Sequence, residues 1–138
     1  MSSVVKEVMI EAEAKYCWDA VRDFAGLSER LAPGFVTDLV MADPRARRIT
    51  FFNGAVATEY LVGSDDDAMR IAYTVTEGPL ESTHHNACVQ VVPDGDGRCR
   101  FIWITDVLPD ALGQRIEELM EAGIKVIKPT LEAAASGH

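Results

Sequence analysis

The spacing of apolar and polar positions changes several times along the chain, and each change predicts a new element. Val4, Val5, Val8, Met9 and Ile10 stand among Lys6, Glu7 and Glu11. This β-branched, partly alternating stretch predicts a first strand over residues 4–11. From residue 14 to 24 the period lengthens: Trp18, Val21 and Phe24 recur at every third position and place one apolar stripe on a short helix. Gly26 stops it, residues 27–31 supply a second short helix of a turn or two, and Pro33-Gly34 breaks the chain.

Strand-like segments punctuated by turns then run from residue 35 to 107. Asp43-Pro44, Asn53-Gly54, Ser64-Asp65-Asp66-Asp67, Gly78-Pro79 and the run Pro93-Asp94-Gly95-Asp96-Gly97 supply the turns. Asn53-Gly54 is the sharpest hairpin signal, because both residues tolerate positive φ. Met69, Ile71, Tyr73 and Val75 alternate with polar or small residues, the pattern of a half-buried strand. Turns this closely spaced, with no helix between them, imply antiparallel neighbours. After Pro109-Asp110, Leu112, Ile116, Leu119, Met120, Gly123, Ile127 and Leu131 line one face at spacings of three and four, predicting a long helix. Pro129 removes a backbone donor, so this helix is expected to bend or end near Lys125, with residues 132–138 frayed.

These elements predict an α+β fold in one domain covering residues 1–138. About seven antiparallel strands form a curved sheet, two short helices follow the first strand, and only the last helix is long enough to cover the apolar face. A curved sheet closed by one helix leaves room for a pocket.

Composition narrows the partners. With 13 basic and 22 acidic residues, the net charge near −9 repels phosphate backbones, and the only dense basic stretch is Arg45, Arg47 and Arg48. Nucleic acid is therefore not expected as a partner. No apolar run reaches the roughly 18–20 residues that span a bilayer, so no membrane insertion is expected. Charged residues interrupt the first sixteen positions, which argues against a secretory leader and for a cytoplasmic address. Cys17, Cys88 and Cys99 lack metal-site spacing and are expected as reduced, mostly buried thiols. Asp65-Asp66-Asp67 lacks the alternating ligands of a calcium loop and is expected as a solvated turn. No metal and no cofactor are expected, since no phosphate-binding glycine loop or nucleophile elbow is present.

The segment from Trp18 to Phe24, with Leu27 and Pro33-Gly34-Phe35, forms the first of several blocks. The others are Arg47 through Asn53-Gly54, Glu59-Tyr60-Leu61, Tyr73 through Leu80, Val91 through Gly97, and Trp103 with Asp106. Together these blocks resemble the polyketide cyclase/dehydrase branch of the Bet v 1-like, START-related superfamily (the SRPBCC proteins) over nearly the whole chain. The resemblance implies a helix-grip fold. It also implies that Arg47 and Glu59 fall on adjacent strands and pair inside a cavity. The superfamily includes aromatase/cyclases and carriers of lipids and hormones, so the resemblance speaks to fold before chemistry.

Strand parity gives the inward-facing set. Tyr73 shares a face with Ile71 and Val75, and His85 shares one with Ala87, so His84 must face the other way. His85 is the candidate general base, Glu59 a second proton carrier and Tyr73 an oxyanion donor. A half-buried histidine bonded to a neighbour is the plainer reading of His85. A two-residue loop at Asn53-Gly54 would set Arg48 opposite Glu59, whereas an odd, bulged loop would set Arg47 there. Arg47, Ile71, Val75, Ala87, Trp103, Leu119, Met120, Gly123 and Ile127 are the expected ligand-binding residues, and Trp103 with Phe101 is expected to pack under the helix. Ile102 and Ile104 face outward and would mark a homodimer contact. The expected partner is a small apolar or aromatic molecule. Two functions remain open: a cyclase/dehydratase-type enzyme, and a non-catalytic carrier or partner-binding module.

Overall fold

The computed structural model describes residues 2–136. Strand β1 (Ser2–Ile10) leads into helix α1 (Ala14–Arg22) and two short helical turns at Phe24–Gly26 and Leu27–Leu31. Strands β2 (Val36–Asp43), β3 (Ala46–Phe51), β4 (Val56–Asp65), β5 (Arg70–Glu77), β6 (His84–Pro93) and β7 (Cys99–Leu108) follow, then helix α2 (Gly113–Ser136). The seven strands form one sheet in the order β1-β7-β6-β5-β4-β3-β2, and every pairing is antiparallel. Each hairpin neighbour is thus a sheet neighbour, and the first strand closes onto the last. Register shifts in the β2–β3 and β4–β5 pairs add local twist and bend the sheet around the helix. This is the expected α+β helix-grip architecture.

The core lies between the concave face and the helices. Ile49, Ile71, Val89, Val91 and Phe101 from the strands meet Trp18 and Val21 of α1 and Ile127 and Leu131 of α2. Cys17 and Cys99 are buried and Cys88 is half-buried, all as free thiols. The acidic turn after β4 is not wholly solvated. Asp66 accepts a hydrogen bond from Trp18 Nε1 at 2.9 Å and pairs with Arg22 at 3.3 Å, so it fastens the turn to α1.

Helix α2 corrects one expectation. It neither ends near Lys125 nor frays at 132, but runs through Pro129 to Ser136. Residues 137 and 138 lie outside the described residues. Ile127 and Leu131, both nearly inaccessible, anchor the helix on either side of the proline, while Pro129 itself is exposed. The Thr130 hydroxyl donates to the Val126 carbonyl at 2.7 Å. Burying two aliphatic side chains is worth about 3–6 kcal/mol, which offsets the roughly 3 kcal/mol cost of an internal proline.

Candidate functional site

The loop joining β3 to β4 sets the register of the site. Phe51 N–H donates to Ala55 O at 2.8 Å, and Gly54 N–H to Phe51 O at 2.9 Å, leaving Phe52, Asn53 and Gly54 between the paired ends. Gly54 has φ +85°, a conformation open to glycine at little cost. This odd loop places Arg47, not Arg48, opposite Glu59. Arg48 is exposed on the outer face.

Arg47 and Glu59 are each only 6% exposed. Arg47 Nε and Nη2 both reach Glu59 Oε1, at 2.9 and 2.8 Å. Nη1 donates to the Phe24 carbonyl at 2.9 Å, and the guanidinium lies 3.9 Å from the Phe24 ring centroid and 5.3 Å from that of Tyr73. Desolvating two charges costs several kcal/mol each. The extra carbonyl acceptor and two aromatic faces compensate part of that for the cation.

The pair sits on the wall of a cavity of about 360 Å³ between the concave face and α2. Of the ligand-binding candidates, Ile71, Val75, Trp103, Leu119, Met120 and Ile127 line it alongside Arg47. Ala87 is buried but is not part of the lining. Gly123 plays a different part: a Cβ there would come within 3.0 Å of Trp103 Cζ3 and 3.4 Å of Phe35 Cε2, so the bare backbone lets both rings slot beneath the helix. The lining reaches exposed residues at Phe52, Asn53, Gly78, Pro79 and Arg115, and there the cavity opens.

All three proton-transfer candidates, His85, Glu59 and Tyr73, line this cavity, whereas His84 does not. Burial, with a smaller contribution from His84, lowers the His85 pKa below its ordinary 6.5, so its imidazole is neutral near pH 7. Burial above all, then the Glu59 carboxylate, pushes the Tyr73 phenol well up; Arg47 and the Trp103 indole pull it back only part of the way. Tyr73 is thus held as a neutral O–H donor. Among the described residues, no group of three or more His, Cys, Asp or Glu converges as metal ligands would.

Because His85 binds its proton less readily in the folded chain than in the unfolded one, stability falls as pH drops through about 6.5 towards the lower folded value. Denaturant midpoints of the wild type are therefore expected to fall more than those of His85→Gln between about pH 7.5 and pH 5.5. Parallel curves would contradict a half-buried, neutral His85.

Two features of the site escaped the sequence reading. Thr105 is 1% exposed and lines the cavity; its parity with Phe101 and Trp103 was a usable signal. The Phe24 carbonyl, which holds Arg47, left none.

The family model for polyketide cyclase / dehydrase and lipid transport matches residues 1–135. The chain belongs to this family. Three solved structures show how far its fold extends. The protein XoxI from Bacillus cereus is 16% identical with a TM-score of 0.84, covering 99% of this chain and 96% of its own. The Zhui aromatase/cyclase from a Streptomyces species is 16% identical with a TM-score of 0.70, covering 99% and 92%. Norcoclaurine synthase from Thalictrum flavum, in complex with dopamine and hydroxybenzaldehyde, is 20% identical with a TM-score of 0.73, covering 99% and 87%. At these identities the likeness is one of fold. No curated protein matches the sequence. Among the described residues of this polyketide cyclase/dehydrase-family chain, no helix is long and apolar enough to cross a membrane.

Proposed function

We propose that residues 1–138 form one domain that binds a small, largely apolar molecule in the cavity between the sheet and α2. One observation carries this reading: an apolar space of about 360 Å³ with a buried Arg47–Glu59 pair on its wall. That volume falls at the small end of the roughly 300–1,000 Å³ typical of ligand sites. A molecule of one or two rings fits a space of that size. The reading includes a cytoplasmic setting and a diffusing aromatic or apolar partner.

A specific observation also favours turnover of the cyclase/dehydratase type. A neutral imidazole and a protonated phenol share one cavity wall, the pairing of base and donor that proton abstraction beside a carbonyl needs. In a dehydration, His85 would take the proton from carbon, the C=C bond would form as the C–O bond of the β-hydroxyl breaks, and the imidazolium would return that proton to the departing oxygen so that water leaves. The structural relatives named as an aromatase/cyclase and norcoclaurine synthase lend this reading support by fold analogy alone. If His85→Ala and Glu59→Gln left both ligand binding and any turnover unchanged, this part would fail.

Native mass spectrometry of the gently purified chain, with solvent extraction of whatever is released, tests the binding reading. The expected result is a bound species of one or two rings, or uptake of added 2-ethylnaphthalene at one molecule per chain. A clean apo mass together with no uptake would contradict it.

A further inference from the structure

The outer face of the sheet carries a pattern that the core does not use. Across strands β1, β7, β6 and β5 the register brings Val5, Ile104, Cys88 and Ala72 into one row. Strand parity turns all four away from the cavity, and none belongs to the packed core. Val5 is 55% exposed, and the other three are half-buried. On one side lies a row from Glu7 through Ile102 and Gln90 to Arg70. On the other lies a row from Ser3 through Asp106 and Asn86 to Thr74. An apolar band with a mainly polar row on each side has the make-up of a small interface, apolar at the centre and polar at the rim.

The charges say what would cover it. Arg70, exposed at the end of its row, has neither an ion pair nor a side-chain hydrogen bond among the described residues. Glu7 ends the same row on the far side, held by Arg100 at 2.8 Å. A twofold axis parallel to the strands, between β6 and β7, reverses the strand order and lays each row on itself. Two copies stacked this way set Glu7 against the partner's Arg70, and Arg70 against the partner's Glu7. Large side chains then meet small ones: Val5 lies on the partner's Ala72, and Ile104 on the partner's Cys88. The Asp106 carboxylate meets the amide of the partner's Asn86, which can donate to it. Turning the axis across the strands would instead lay Ile102 on the partner's Asp106 and leave Arg70 without a carboxylate.

We propose that this face pairs with a second copy of the chain in a weak symmetric dimer, sheet against sheet, with its axis between β6 and β7. The footprint spans three strand spacings by about five residues, roughly 14 Å by 17 Å. That keeps the total buried area under about 1,200 Å², the range of transient contacts. The dimer is therefore expected to be half formed only at about 0.1–1 mM chain. None of the paired residues lines the cavity, so dimerisation and ligand uptake are independent.

Sedimentation velocity of the unmodified chain from about 20 µM to about 1 mM tests this, with the mean mass expected to climb towards that of a dimer. Arg70→Glu puts two carboxylates face to face at both symmetric contacts and is expected to weaken the dimer about tenfold or more. Glu7→Lys does the same with two cations. Mixed one to one, the two variants are expected to dimerise again, because each supplies the charge the other lacks. Backbone amide shifts of the unmodified chain should change with concentration around Val5, Ile104, Cys88 and Ala72. A monomer at every concentration, an Arg70→Glu chain that dimerises as well as the unmodified one, or a mixture that stays monomeric would each overturn the proposal. So would concentration-dependent shifts confined to edge strand β2 or to the cavity mouth. If Glu7→Lys does not fold, Arg70→Glu and the amide shifts decide.

Discussion

Glu59→Leu is expected to lower the unfolding free energy by about 3–5 kcal/mol, because it strands the nearly inaccessible Arg47 guanidinium without its counter-charge. For a chain of this length that corresponds to a fall in Tm of roughly 10 °C or more. The Phe24 carbonyl and the rings of Phe24 and Tyr73 remain to hold the cation, but these contacts, worth about 1–3 kcal/mol in sum, do not replace a carboxylate 2.8 Å away. The double variant Arg47→Met/Glu59→Leu is expected to recover most of the loss, since two apolar side chains of similar volume need no desolvation. Urea unfolding of both variants checks this. If the single variant were as stable as the double, the pair would not be a desolvated ion pair. If the double kept wild-type stability but lost ligand binding, the pair would serve the ligand rather than the fold.

The second large effect concerns Gly123. An alanine there gains up to about 1 kcal/mol of helix propensity, but its Cβ meets Trp103 Cζ3 at 3.0 Å, so the two terms are expected nearly to cancel. Leucine adds three more carbons against a ring wedged between α2 and the cavity. Overpacking of this kind costs about 1–3 kcal/mol, which exceeds the propensity gain. The ring has to move into the cavity, so affinity for any occupant is expected to fall by about tenfold. Thermal unfolding of Gly123→Ala and Gly123→Leu, together with titration of 2-ethylnaphthalene, separates the two effects. A Leu variant with unchanged stability and affinity would show that α2 and Trp103 are not packed as described.

How much of this was readable in the residues depends on the physics each part uses. The antiparallel pairing of successive strands from β2 to β7 followed from turn chemistry, since Asn53-Gly54 and the run from Pro93 to Gly97 each force neighbouring strands to pair; the pairing of β1 with β7 carried no such signal. Strand parity separated His85 from His84 and put Ile71, Tyr73 and Val75 on one face. Parity could not decide between Arg47 and Arg48, because one residue more or less in a loop reverses every facing residue; the three-residue turn between Phe51 and Ala55 settled it. Pro129 misled because local propensity was weighed without the burial of Ile127 and Leu131 around it. Gly123 looked like part of a lining stripe, yet its use is the close approach of two rings, which no periodicity carries.

The central claim is that the space between the sheet and α2 is where this polyketide cyclase/dehydrase-family chain takes up its ligand. Backbone amide shifts recorded during titration with 2-ethylnaphthalene test it most directly, because they report where the probe sits whatever its affinity. The cavity account predicts shifts centred on Ile71, Tyr73, Trp103, Met120 and Ile127. Shifts confined to the outer face of the sheet, around the exposed side chains of Val5, Tyr60 and Val62, with the cavity residues unmoved, would contradict it.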